Sequence, residues 1–176
     1  MTETSPHPTA PRWRRLVSLC YEALLLVAVL MACGMLFDLV LGRLAPGSQG
    51  QSWRSHLQFV YLLAMLWGYF IWCWRRSGQT LAMKTWRLRL DARSGGRANL
   101  KSLSLRFTLA VLMLGPALPL WIEARHRPEL KWLGWAALVW AALPYLWAWL
   151  DRDRQFLHDR LAGTRLVLLP IGYGKD

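Results

Sequence analysis

Residues 14–41 read RRLVSLCYEALLLVAVLMACGMLFDLVL, an arginine pair running directly into an apolar segment whose first turns carry one carboxylate, Glu22. The run is long enough to cross a bilayer as a helix. An ionisable side chain inside such a run is costly to bury, so Glu22 marks a functional-site hypothesis that needs a named partner. On a helix Arg15 and Glu22 are two turns apart, about 10 Å along the axis, and share one face, with Arg14 close to the same line. The spacing predicts a contact in which Arg15 snorkels toward the interface and Glu22 reaches back to it.

Outward from this segment, the chain of 176 residues is 55% hydrophobic and carries 12 Trp, a composition foreign to a soluble domain of this size. Its charges fall in blocks, leaving four windows that read as spans: 16–41, 57–74, 107–122 and 132–150. The second and fourth contain no Asp, Glu, Lys, Arg or His and are long enough for about 30 Å of hydrocarbon. The third is shorter and holds Pro116 and Pro119, so it reads as a kinked span or a shallow re-entrant element. The fold class expected is therefore all-α transmembrane, a four-helix polytopic protein.

In a soluble protein a net charge of +12 would point to nucleic acid. Here the distribution argues otherwise. Of the 22 Lys and Arg, 17 lie in the first, third and fifth segments outside the spans and 5 in the second and fourth. By the positive-inside rule both termini and the central loop face the cytoplasm, and an even number of spans agrees in putting both termini on one side. The expected partners are the bilayer itself, with anionic lipid at the cytoplasmic face, and a second copy or another membrane subunit rather than nucleic acid.

Leu30-Met31-Ala32-Cys33 resembles a lipoprotein cleavage site, but the apolar run contains Glu22 and continues past Cys33, so an uncleaved first span is expected. Cys20, Cys33 and Cys73 all fall inside spans and read as small apolar packing residues, not as a disulfide framework or metal site. Residues 1–11, with three prolines among small polar residues, read as a flexible cytoplasmic tail, and 170–176 as a C-terminal tail. Residues 45–50 form a turn-rich outer loop. Asp38 lies near that boundary, about 24 Å from Glu22 along the first helix and on roughly the opposite face, so the two acids are not a pair.

The second span ends in Trp72-Cys73-Trp74 followed by Arg75-Arg76, an interfacial anchor. Beyond it, residues 85–90 alternate large apolar with cationic side chains and precede Ser94-Gly95-Gly96, the pattern of a short strand and turn. A lone strand leaves its backbone groups unpaired, and 164–169 can pair with it. A cytoplasmic strand pair of 85–90 with 164–169 is predicted. Residues 99–106 read as an amphipathic lead-in to the third span with its basic face on anionic lipid. The short outer loop 123–131 predicts an antiparallel hairpin of the last two spans, with Pro144 bending the fourth. Asp151-Arg152-Asp153-Arg154 reads as a solvated, self-neutralising run.

Three local patterns together resemble the RDD family of small bacterial membrane proteins. Arg14-Arg15-Leu16 followed by Tyr21-Glu22 is similar to its arginine pair and following acid. Gly78-Gln79-Thr80-Leu81-Ala82-Met83-Lys84 is similar to its Gly-Gln-Thr-x-Gly-x-Lys loop. His158-Asp159-Arg160-Leu161-Ala162-Gly163-Thr164 is similar to its His-Asp-x-x-Ala-Gly-Thr ending. The resemblance covers 12–169 and implies a single membrane domain of those bounds in a bacterial cytoplasmic membrane. It also implies that Arg15 or Arg14, Glu22 and Asp159 occupy the family's named Arg and Asp positions. Two departures stand out: Glu22 replaces the usual aspartate, and Ala82 stands where the loop usually has its second glycine.

The candidate residues are thus Arg14, Arg15 and Glu22 in the first span, with Gly78, Gln79, Thr80, Lys84, Arg106, His158, Asp159, Gly163 and Thr164 in a cytoplasmic motif. Glu22 reads either as a carboxylate whose protonation is coupled to transport or as a structural ion pair that fixes helix packing. His158 and Asp159 read either as an inner gate or as a turn or helix cap that Gly163 closes. No nucleophile with a base at motif spacing, no His-Glu metal motif and no phosphate-cradling glycine loop is visible, so neither enzyme activity, a metal nor a cofactor is expected. Two functional classes remain, ion or small-solute transport and a membrane scaffold or accessory subunit with a basic cytoplasmic platform.

Overall fold

The computed structural model describes residues 9–47, 50–151 and 155–170. Four elements are long and apolar enough to cross a membrane: Trp13–Leu44, Ser52–Thr85, Leu100–His126 and Pro128–Leu150. The first is one helix, α1 (Arg12–Leu44). The second comprises α2 (Ser52–Ser77) and, after a turn, the short α3 (Leu81–Thr85). The third is α4 (Leu100–Leu114) followed by α5 (Ala117–His126), and the fourth is α6 (Lys131–Leu150). Each extends beyond the window read from the sequence because polar and cationic residues at the ends continue the helix out of the apolar layer.

The third element reaches full span length. Its interruption falls at Gly115-Pro116, where the helix stops and restarts with Pro116 as the residue before α5. Proline lacks the N–H that would bond back one turn, so the break sits where the chain cannot continue its hydrogen-bond ladder. A three-residue 3-10 turn, Pro128–Leu130, then leads into α6. The last two elements pack as the expected hairpin, more extensively than any other pair. Gly134 makes that approach possible: a Cβ added there would lie 2.7 Å from Ala124 Cβ and 3.3 Å from the Trp121 ring. Pro144 lies buried inside α6, which carries on through it.

A two-stranded antiparallel sheet joins the central segment to the end of the chain. Strand β1 (Leu88–Ala92) pairs with β2 (Thr164–Leu168) in the register Leu88↔Leu168, Leu90↔Leu166, Ala92↔Thr164. The predicted partners are therefore right, but the first strand begins three residues later than the alternation suggested. Residues 81–85 form helix α3 instead, since the Thr80 side chain caps it by accepting from Met83 N. Thr9 bridges Val167 on the other edge of β2, and Ala10 N donates to Leu166 O at 3.2 Å. Residues 1–8 of the expected tail, and 171–176, lie outside the described residues. Thr9 and Ala10 do not behave as a free tail, because the sheet edge takes up their backbone groups and buries Ala10.

The core lies at this end of the molecule and takes in the ends of two of the candidate spans. Ile71 and Trp74 of α2, Met83, Leu88, Leu90, Leu103 and Phe107 of α4, Leu166 and Ala10 form one buried cluster. By contrast, the most apolar stretch of α1 has no buried residue, and Trp132, Trp135 and Trp149 of α6 are exposed. A lipid-facing helix surface gains nothing by turning away from hydrocarbon, so exposed apolar spans and a packed base are the expected division. Short α7 (Leu157–Leu161) packs between α6, α4 and β2 at the base.

Replacing Gly134 with valine should lower the unfolding midpoint in detergent, at a cost of about 1–3 kcal/mol for overpacking the hairpin. Replacing Gly68, whose added Cβ would meet nothing within 4 Å, with alanine should leave that midpoint unchanged or raise it.

Candidate functional site

Along α1 the buried side chains of the first turns are Arg15, Ser18 and Glu22, spaced three and four residues apart on one helix face. Their neighbours Leu16, Val17 and Leu19 are exposed. This part of the helix is inside-out relative to a soluble helix: its polar stripe faces protein and its apolar surface faces outward. The base supplies partners that lipid could not.

Arg15 and Glu22 do not pair with each other. Arg15 reaches instead toward the end of the chain, its Nη1 donating to Gln155 Oε1 and its Nη2 to the Leu166 carbonyl, each at 3.3 Å, with its guanidinium 5.9 Å from the Phe156 ring centre. Glu22 accepts from the Tyr69 hydroxyl at 2.9 Å through Oε1 and from the Thr80 hydroxyl through Oε2. Among the described residues no Lys or Arg forms an ion pair with Glu22. The physical reason is competition: the Leu166 carbonyl of β2 and the buried Gln155 side chain lie within reach of Arg15, while helix capping carries Thr80 to Glu22. Arg14 is half-buried and lies over the Trp13 ring, 5.1 Å from its centre.

A second polar group forms around Asp159, which has no solvent exposure. Arg106 Nη2 lies 2.8 Å from Asp159 Oδ1, and His158 Nε2 lies 3.6 Å from the same oxygen. Arg106 also sits 4.8 Å over the ring of Trp74. Two expectations are corrected by this contact. Arg106 does not rest on lipid, because the carboxylate inside draws it inward; and Trp74 is a buried member of the core beneath that guanidinium, leaving Trp72 exposed with Arg76 5.5 Å from its ring. Asp159 lies inside α7, whose preceding residue is Phe156, so it caps nothing. Its carboxylate meets the guanidinium of Arg106 from α4.

The remaining motif residues shape the base. Gly78 ends α2 at φ 72°, its carbonyl accepting from Leu90 N at 2.8 Å, and a Cβ there would strike Arg89 Cγ at 2.8 Å. Glycine is required by both the backbone angle and the close strand. Gln79 Nε2 donates to the Leu88 carbonyl at 2.6 Å, holding the turn to β1. Gly163 (φ 67°) closes the turn after α7, as its position in the sequence suggested, and its carbonyl accepts from Arg93 N. Thr164 donates to the Asp159 carbonyl at 3.2 Å. Ala82 is fully buried in a helical turn, so this loop needs no left-handed glycine there. Lys84 is exposed.

The sequence reading missed several members of the site. Tyr69 gave no signal beyond being a hydroxyl in a span. Ser18, three residues after Arg15 and four before Glu22, could have been found from helical spacing. Asp151 is buried, accepting from Gln155 N at 2.9 Å and from Arg160 Nη1, and so is not part of a solvated run. Residues 152–154 of that run lie outside the described residues. At the opposite end of α1, Asp38 pairs with Arg54 at 2.8 Å, well removed from Glu22.

Burial pushes the His158 imidazole down to about 4, against the attraction of the Asp159 carboxylate, and Arg106 adds to the downward push. His158 is therefore neutral at pH 7, and Arg106 is the cation that compensates Asp159. Among the described residues, no group of three or more His, Cys, Asp or Glu side chains is arranged to hold a metal ion. A family model described as RDD family matches residues 9–163. No curated protein and no solved structure matches the chain.

Asp159→Ala should cost about 3–5 kcal/mol by stranding a buried guanidinium, whereas replacing Arg106 and Asp159 together with leucine should cost less than the single change. Unfolding of both variants in detergent measures the difference. The unfolded chain binds a proton to His158 near pH 6.5 and the folded protein only near 4, so its contribution is present in full above 6.5. It declines as the pH falls toward 4, by about 3 kcal/mol in all. Unfolding midpoints measured from pH 7 down to 4 should fall, and His158→Gln should flatten the slope.

Proposed function

This chain belongs to the RDD family, and on that premise we propose that it is a proton-linked transporter of an ion or small solute in a bacterial cytoplasmic membrane. It is a membrane protein with four candidate spans. The observation that carries the reading is the setting of Glu22, buried in the first span and held by two hydroxyls, with no cation bonded to it among the described residues. A guanidinium can only donate, so it fits a carboxylate and opposes a carboxylic acid. A hydroxyl can donate to the first and accept from the second, so Tyr69 and Thr80 can serve either protonation state by rotating one O–H bond. A carboxyl in that setting can gain and lose a proton without losing its partners. That property is what a proton relay needs and a structural ion pair lacks.

The proposed orientation has both termini and the sheet on the cytoplasmic side, where most of the basic residues lie. On that side the Thr80 hydroxyl couples Glu22 to the turn before α3, so a change of protonation at residue 22 bears directly on the Gly78–Lys84 motif. The role proposed is non-enzymatic. Exposure of most of the apolar α1 surface supports assembly with a second copy or a membrane subunit, since four sparsely packed spans offer little interior for a pathway.

A scaffold or accessory role is the second reading, favoured by the location of the buried core in the base. Flux through vesicles containing the purified protein and a trapped pH indicator separates the two. Transport predicts proton movement in the wild type, a loss of at least about tenfold in Glu22→Gln, and partial retention in Glu22→Asp. Flux equal in wild type and Glu22→Gln would overturn it. No flux in the wild type, together with co-purification of a stoichiometric membrane protein, would support the scaffold.

A further inference from the structure

A cavity that Glu22 does not line lies beside the sheet. It has a volume of about 640 Å³ and is bordered by the turn after α2, α3, β1, the turn after β1 and Leu169-Pro170. That size suits a small ligand. Its charged lining consists of Lys84, Arg87, Arg89, Arg97 and Asp91.

The cations divide into two kinds. Arg89 grips Asp91 with two bonds, Nε to Oδ1 at 2.8 Å and Nη2 to Oδ2 at 2.9 Å, so the carboxylate is already satisfied. Among the described residues Lys84, Arg87 and Arg97 make no ion pair, which leaves three positive charges uncompensated around one concavity. Like charges gathered without a counter-ion repel one another, and an anion in the cavity would remove that cost.

The backbone points the same way. Arg87 is the one described non-glycine residue at positive φ, 55°. A side chain rarely occupies that region, and such positions recur at ligand clamps. Bonds on both sides pin it there: Arg87 N donates to the Lys84 carbonyl at 3.1 Å, and its own carbonyl accepts from Leu169 N at 2.9 Å. These bonds fix an arginine at the cleft wall where glycine would satisfy the backbone.

We propose that this cleft binds an anion carrying one or more phosphate groups, with Lys84, Arg87 and Arg97 as its ligands. Guanidinium pairs match phosphate oxygens in geometry and charge, and a volume of this order exceeds a single phosphate, so a diphosphate or a phosphodiester headgroup suits it. The site stands independently of whether Glu22 moves protons.

Two probes test it on the full chain purified in neutral detergent, against the double variant Lys84→Gln/Arg97→Gln. Both positions are exposed, and a thermal unfolding scan checks that the variant remains folded. Calorimetric titration with inorganic pyrophosphate should show binding by the wild type that weakens by about tenfold or more in the variant if the source is soluble. Native mass spectrometry should show phosphatidylglycerol retained over phosphatidylcholine by the wild type, and that preference lost in the variant, if the source is lipid. Either result supports the site and identifies its source. Should the double variant fail to fold, the two single variants carry the same comparison. Absence of binding with both probes, or equal behaviour of wild type and variants with both, overturns the proposal.

Discussion

Asp159 is a carboxylate sealed from solvent, and the guanidinium of Arg106 lies 2.8 Å from it. Two ions removed from water must be paired at close range, because either one alone would be costly to leave buried. That requirement binds the start of the third span to the segment that follows the fourth. Since Arg106 also covers Trp74 at the end of α2, one ionic contact gathers two spans and the segment after the fourth at a common base. The sheet adds the central segment, and Arg15 adds the first span through Gln155 and the Leu166 carbonyl.

The result is a protein whose conventional core gathers at one end, where two of its spans meet the sheet. Within hydrocarbon there is no hydrophobic gain from bringing helices together, so the spans need little mutual burial, and packing collects where water would otherwise reach. This division explains the inverted pattern at the start of α1. Arg15, Ser18 and Glu22 face the base, where side-chain hydroxyls, an amide and a strand carbonyl supply the partners that lipid lacks.

The family loop acquires a physical meaning in this setting. Gly78 lets a strand pass against a helix end, Gln79 ties that turn to β1, and Thr80 both caps α3 and donates to Glu22. Three consecutive residues thus link a membrane carboxyl to the sheet. The Lys84 that ends the motif belongs to a different feature, the basic cleft beside that sheet.

The spans, the pairing of the two strand segments and the hairpin of the last two spans could all be read from the chain. Those features rest on local composition and period, which each segment carries without reference to the rest. The motif residues were also visible, since they lie close together in sequence. Partner choice was not. Helical spacing set Arg15 and Glu22 on one face and suggested that they join, yet each found a closer match 47 to 151 residues away in the chain. The inward turn of Arg106, the burial of Asp151 and the start of β1 at Leu88 followed the same rule. A charge or a backbone group takes whichever partner the folded base brings within about 3 Å, and that depends on distances between segments, which no single stretch of sequence contains.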